Sequence, residues 1–342
     1  MEENTEDLFE GKEVTGSQIR SAFSLAVSPN LGFIAIGGRG VIGVYANPSI
    51  KAQHVLGDST LGQIMQLEWT DDNTTLWSLS RGNLTKWDAS RNFSPVWRLN
   101  CEQSEEMLAF TISRGDEITL GTNLRVRTFT LPKGDSTTEV TLGSPLPKNH
   151  KAILSAHHYV IVNTKRLFIH DQADGVLLLS RGFQEEFRQP PLLSITPNGQ
   201  LLAVGYPTGS IHIFNLRALR NDPVEFSFQD HTFQRVLKGL CWDPFGNSLI
   251  GLSGSGTVMF WNTDGKTAGK IGFQLSDYRY AKGLAIAPYH SQLFFVDDYG
   301  TTLFSLPFGI PTKFLLFLRK RKLLRVISGL PPSLLKEMTL YQ

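Results

Sequence analysis

Short apolar runs rich in Val, Ile, Leu and Phe alternate along the chain with clusters of Gly, Pro, Asn and Asp. That texture predicts short β-strands joined by tight turns. No 12-residue stretch of 3.6-residue periodicity separates the runs, so a helical or βαβ arrangement does not fit. The runs also repeat. SLAVSPN from Ser24, QLEWTDD from Gln66, MLAFTIS from Met107, LSITPNG from Leu193, GLCWDPF from Gly239 and GLAIAPY from Gly283 are each followed by a second apolar run. A third then ends in an aromatic residue. With Leu25, Leu67, Leu108, Leu193, Leu240 and Leu284 taken as equivalent, the closing aromatics are Tyr45, Trp87, Phe129, Phe214, Trp261 and Phe304. They follow 20, 20, 21, 21, 21 and 20 residues later, a regularity that chance does not supply.

The gaps between those leucines are 42, 41, 85, 47 and 44 residues, so one degenerate unit lies inside the long gap. It is Lys151 to Asp171, in which Leu154 opens the unit and Ile169 replaces the aromatic. The turn after the first strand recurs as Ser28-Pro29-Asn30, Thr196-Pro197-Asn198-Gly199, Asp243-Pro244-Phe245-Gly246 or Ala287-Pro288-Tyr289. Proline presets φ in such turns, and Gly or Asn accepts the positive φ that follows. A weaker fourth strand is expected after each closing residue, at 50–56, 95–99, 138–142, 175–179, 224–228 and 270–275. Four strands in each of seven units make a radial β array, because no single unit can bury its own faces.

These units resemble the WD-repeat β-propeller family over residues 22–307. The resemblance rests on the turn after the first strand and on the endings Trp87-Asp88, Phe214-Asn215, Trp261-Asn262 and His170-Asp171. Asp230-His231 stands 30 residues before Trp261, where the family usually has Gly-His, and Asn149-His150 and Gln53-His54 hold similar places. No Gly-His dipeptide occurs, and the family's turn aspartate is absent from Ser253-Gly254-Ser255-Gly256-Thr257, so the blades are divergent and a full Asp–His network is not expected. The resemblance implies an all-β, seven-bladed propeller at 22–307. An acidic segment precedes it at 1–21 and a short basic tail follows at 308–342. The outer strand of the last blade has two candidates: residues 11–15, in the family's manner, and the more apolar KFLLFLR at 313–319.

Composition adds less than charge placement. The 342 residues are 41% hydrophobic and 19% charged, which is ordinary for a globular chain and excludes a disordered or collagen-like one. Two cysteines, Cys101 and Cys241, make no disulfide framework and no Cys-x-x-Cys zinc motif, which fits a reducing compartment. The net charge of +2 gives no global polyanion signature, but it hides −5 over residues 1–10 and +6 over 308–342. An acidic amino terminus is the opposite of a secretory or mitochondrial leader, and no apolar run is long enough to span a bilayer. A cytoplasmic or nuclear protein is expected.

Candidate chemistry is sparse. The adjacent His157 and His158 point to opposite faces of a strand and cannot chelate one metal together. Asp297-Asp298, beside Tyr299-Gly300, reads as a turn. GLSGSG at 251–256 precedes a strand rather than a helix, so it lacks the terminus that binds phosphate and reads as a hairpin turn. Cys241 reads as a packing residue. No nucleophile elbow, phosphate-binding Gly-Lys-Ser/Thr loop or His-Glu-x-x-His occurs. No catalytic residue, metal ligand or cofactor is therefore assigned, and the chain is expected not to be an enzyme.

Binding is better supported. In a propeller, the turns between second and third strands crowd one mouth of the central channel. Here they carry Arg39, Arg81, Arg125, Lys165 and Arg166 in units one to four, against Thr208, Ser255 and Asp297-Asp298 in units five to seven. Such a field suits an acidic or phosphorylated peptide, and the chain reads as a protein-binding scaffold or adaptor subunit of a larger hetero-complex. In the tail, Arg319, Lys320, Arg321, Lys322 and Arg325 read either as a solvated charge run or as a nuclear-import segment. A nuclear factor with weak, salt-sensitive affinity for nucleic acid is one alternative function. An enzyme with its site in the central channel is the other, and it needs carboxylates or histidines where the first strands show mostly Ala, Leu, Val and Ile.

Overall fold

The structure is a computed structural model and describes residues 12–13 and most of 22–307. The longest intervening segments outside the described residues are 143–149, 228–236 and 272–280. The strands form seven four-stranded antiparallel sheets. After β1 (Lys12–Glu13), the first sheet holds β2 (Ser24–Val27), β3 (Phe33–Gly37), β4 (Val41–Ala46) and β5 (Ala52–Gly57). Next come β6 (Ile64–Trp69), β7 (Thr75–Ser80), β8 (Asn83–Asp88) and β9 (Ser94–Asn100), then β10 (Met107–Ser113), β11 (Glu117–Thr122), β12 (Arg125–Thr130) and β13 (Asp135–Thr141). The degenerate unit forms β14 (Lys151–Leu154), β15 (His158–Val162), β16 (Arg166–Asp171) and β17 (Leu177–Gly182). It is followed by β18 (Leu192–Ile195), β19 (Leu201–Gly205), β20 (Ser210–Asn215) and β21 (Val224–Ser227). The sixth sheet is β22 (Leu237–Trp242), β23 (Ser248–Ser253), β24 (Val258–Asn262) and β25 (Thr267–Ile271), and the last contains β26 (Ala281–Ala287), β27 (Gln292–Asp297) and β28 (Thr302–Pro307).

The first strands of successive sheets pack against one another in chain order, and β26 packs back on β2, which is the arrangement of a β-propeller. The last sheet is completed from the other end of the sequence, since β1 pairs antiparallel with β28 through Lys12↔Leu303 and Glu13↔Thr302. The rival closing segment at 313–319 and the basic residues 319–325 lie outside the described residues.

Side-chain alternation explains why the strand runs are apolar throughout. Successive residues of a strand face opposite sides of its sheet, and here both sides are covered by neighbouring sheets. Ala35, with Phe33 packed at its rim, joins Ile64, Trp69, Leu76 and Trp87 in the core between the first two sheets. Ile34 and Ile36 instead join Leu25 and Tyr45 in the core that touches Ala285 of β26. β19 divides in the same way, with Leu202 and Val204 meeting Val160 and Leu167 while Ala203 meets Leu240 and Trp242. Each such fully buried aliphatic side chain contributes about 1.5–3 kcal/mol. Glycine appears where inner strands approach most closely: a Cβ on Gly239 would lie 2.8 Å from the Leu284 Cβ of the next sheet.

The repeated turn after the inner strand is held by its own side chains. Ser28 Oγ accepts from the Phe33 amide at 2.8 Å, Thr196 Oγ1 from the Leu201 amide at 3.0 Å, and Asp243 Oδ1 from the Asn247 amide at 2.8 Å. Ser, Thr and Asp are interchangeable there because each supplies one acceptor oxygen at the same reach.

Candidate partner-binding face

Several turns between second and third strands are tied by backbone bonds to the segments that follow their sheets. Gly40 N donates to Gly62 O at 2.9 Å, and Ile64 N to Gly38 O at 3.0 Å, which fixes the turn that carries Arg39. Met107 N donates to Arg81 O at 3.0 Å, and Phe183 N to Lys165 O at 2.8 Å. In the fourth sheet, Asn163 Oδ1 accepts from the amides of both Lys165 and Arg166, at 2.8 and 2.7 Å. Backbone bonds of this kind make the end of the ring a rigid surface.

The five cations expected there differ in their surroundings. Arg39 and Arg166 are exposed and form no ion pair among the described residues. Arg81 is half exposed, with Nη1 3.7 Å from Glu106 Oε2, and Lys165 Nζ lies 3.2 Å from Glu186 Oε2. Arg125 is drawn into a knot. Its Nη1 donates to Glu139 at 2.7 Å, its Nη2 lies 2.6 Å from Glu102, and its Nε donates to Glu105. Arg127 of the same strand also donates to Glu102 and Glu105. The Glu105 side chain is only 2% exposed and is held by the two guanidinium groups. Burial works against the Arg125 charge, but its bonds to Glu105, Glu139 and Glu102 outweigh that and hold the guanidinium more firmly protonated than usual. The hydrogen bond from Arg125 is the main cause that lowers the Glu102 carboxyl.

The arc of five cations expected from the turns is thus partly neutralised, by Glu139 of the outer strand β13 and by carboxylates from segments between sheets, where the repeat has no strand. Glu102, Glu105 and Glu106 lie just before β10, and Glu186 follows β17. An acid-rich Glu102-Gln103-Ser104-Glu105-Glu106 beside a predicted inner strand was the available signal. On the other side of the ring, Thr208 is exposed, with Oγ1 3.1 Å from Ser210 Oγ. Ser255 and Asp298 lie outside the described residues, and Asp297 is placed only as the last residue of β27.

The remaining candidates show no convergence. His157 is exposed and His158 half-buried, with ring centroids 6.4 Å apart and planes at 89°. Both ring nitrogens of His150 are buried without a hydrogen-bond partner. The Trp87 indole donates to Ser78 Oγ at 2.8 Å. Burial pushes the Cys241 thiol far up, and Gly251–Ser253 end β23, which pairs with β24 as a hairpin and is followed by Gly256 at φ 89°. Among the described residues no group of three potential metal ligands occurs, and no helix is long and apolar enough to cross a membrane. The outer strand β17 adds a feature of another kind, a run in which Leu177 and Leu178 are exposed together with the preceding Val176.

No protein-family model matches the chain, and no curated protein matches it in sequence. Among solved structures it resembles the β-propeller domain of Cps50 (Swd1) from Myceliophteria thermophila, with a TM-score of 0.64 and 14% identity. The match covers 86% of this chain and 99% of that one. At that identity the likeness is one of fold.

Proposed function

We propose that this chain is a noncatalytic platform for protein–protein interaction, a scaffold or adaptor subunit built as a seven-bladed propeller of WD-repeat type. The observation that carries the reading is the rigid end of the ring, where Arg39 and Arg166 stand exposed on turns clamped by backbone hydrogen bonds. Arginine on a preorganised surface is suited to bidentate contact with carboxylate or phosphate and loses little entropy on binding. The partner would be a protein that presents an acidic or phosphorylated segment. Two cysteines and the basic run Arg319–Lys322 support a cytoplasmic or nuclear setting.

The test is affinity purification from native lysate with Arg39 and Arg166 reversed together to Glu. Loss of a partner that the native chain recovers, with an unchanged melting temperature, is expected. An unchanged set of partners would remove this face from the interaction.

A further inference from the structure

Between the fourth and fifth sheets the chain does not run directly from one blade to the next. Arg166 opens β16 opposite Gly182, the last residue of β17. From there the chain is fastened back over the turn before β16, with Phe183 N donating to Lys165 O at 2.8 Å and Phe187 N to Thr164 O at 3.0 Å. These two bonds lay a pair of aromatic rings between the turns of two blades. The Phe183 and Phe187 ring centroids are 5.5 Å apart, and each lies 5.3 Å from that of Tyr206, the residue after β19. Tyr206 is buried, with its hydroxyl 3.3 Å from His212 Nδ1, and forms the floor. The two phenylalanines that rest on it are only half-buried.

Cations border this shelf. Arg166, and Arg188 directly after Phe187, are exposed and form no ion pair among the described residues. Lys165 differs, because Glu186 meets it at 3.2 Å. The segment between the second and third sheets supplies glutamates to its arginines, whereas this one supplies aromatic rings. Rings and guanidinium groups side by side are the composition of an interaction hot spot, since both give most of their energy when a partner takes them out of water together.

We infer that the shelf of Phe183 and Phe187, with Arg166 and Arg188 beside it, docks an extended segment of a partner protein in which an aromatic residue is flanked by carboxylates. The inference rests on the platform reading and adds to it the seat and the chemistry of the ligand. A partner ring would cover the exposed parts of the two phenylalanines and meet them edge to face. Each guanidinium fork would donate two parallel hydrogen bonds to one carboxylate. The shelf is already fastened by backbone bonds, so little order has to be gained on binding. The two attractions reinforce each other, because a ring seated on the shelf keeps water from the charged contacts.

The experiment is fluorescence anisotropy of the full chain with a labelled peptide that carries tryptophan between two pairs of aspartates, and with its Asn-for-Asp, Ser-for-Trp and phosphoserine-for-Asp analogues. The parent peptide should bind, and the Asn and Ser analogues should each bind at least about tenfold more weakly. Arg166→Gln with Arg188→Gln should lose at least about tenfold at an unchanged melting temperature, because both side chains are exposed. Phe183→Leu with Phe187→Leu keeps the apolar packing without the rings and should lose about threefold. Arg39→Gln, on the first sheet, should bind as the native chain does. No binding of the parent peptide, or equal affinity in the arginine double variant or for the Ser analogue, overturns the inference. A phosphoserine peptide that binds more than about tenfold more tightly overturns the carboxylate as ligand. If the partner recovered from lysate is released by Arg39→Glu but not by Arg166→Gln with Arg188→Gln, the seat is wrong and the platform reading stands. If recovery survives reversal of Arg39 and Arg166 together, the platform reading fails on its own test.

Discussion

At one end of the same ring, cations have opposite surroundings. Arg125 and Arg127 are held by Glu102, Glu105 and Glu139, and the knot fastens the segment between the second and third sheets onto β12. Lys151, at the start of β14, has no carboxylate paired with it among the described residues, and desolvation together with the Lys238 charge lowers its pKa to about 8. Identical charge therefore has two meanings here. Where acids are supplied, the cation is part of the fold; where they are withheld, as at Lys151, the charge costs stability.

The comparison breaks most decisively at Glu105. Its replacement by Ala leaves two half-buried guanidinium groups short of their shared acceptor and should cost roughly 3–5 kcal/mol, read as a lower midpoint in urea unfolding. A loss under 1 kcal/mol would make the knot a surface ornament.

Glu68 on β6 sharpens the contrast from the acid side, since no cation among the described residues pairs with it. Burial pushes its pKa up to about 7, against the lowering effect of hydrogen bonds from the Ile112 amide and the Gln66 side chain. The folded chain therefore holds a proton that the unfolded chain releases near pH 4.5. The associated stability is complete below that value and is lost as pH rises towards 7. Glu68→Gln should raise stability by roughly 1–3 kcal/mol at pH 8 and leave it unchanged at pH 4, measured by urea unfolding at both values.

Lys151 should show the reverse dependence. Its pKa is depressed, so the folded chain binds fewer protons than the unfolded one between about 8 and the ordinary lysine value, and stability rises with pH across that window. Lys151→Met should stabilise the chain at pH 7 by no more than about 1 kcal/mol, because water screens an exposed ammonium. Destabilisation instead would place the side chain in the fold with Arg125. The smallest effect is expected at Arg81, whose half-exposed pair with Glu106 spans 3.7 Å. Arg81→Ala should change the melting temperature by an amount equivalent to about 0.5 kcal/mol or less.

The repeat was legible because its signal is physical and local. Leu25, Leu67, Leu108, Leu154, Leu193, Leu240 and Leu284 all fall on inner strands, and Tyr45, Trp87, Phe129, Ile169, Phe214, Trp261 and Phe304 all fall on third strands. Burial on both faces forces apolar runs, and the turn chemistry that follows them is confined to a few residue types. Boundaries were less clear for outer strands: the run expected at 270–275 forms over Thr267–Ile271, and that at 175–179 over Leu177–Gly182. Only one neighbouring strand disciplines an edge, and β17 keeps exposed leucines that alternation would have hidden.

The layout of the candidate face was half legible. Turn positions located Arg39, Arg81, Lys165 and Arg166, because hairpin geometry fixes where a turn points. Apart from Glu139 of β13, the acids that meet Arg81, Arg125 and Lys165 come from irregular segments 20 or more residues away in sequence, as Glu105 does for Arg125, and no periodic pattern registers them. Lys151 was overlooked for the opposite reason, because a charged residue at the start of an apolar run looks like the end of a turn.

The pairing of Lys12 and Glu13 with β28 has a consequence for how such a chain reaches its folded state. Lys12 and Glu13 must wait for residues near 300 before these hydrogen bonds can form. Six sheets can assemble from local hairpins while the nascent chain lengthens, but the seventh is a contact of very long sequence separation and joins late. Until then β26 and β2 have no neighbour on one side, and the ring is an open arc with two apolar flanks. A chain that loses Lys12 and Glu13 would keep every hairpin and the packing of β26 on β2, and would lack only the strand that ties the two ends of the sequence into one sheet.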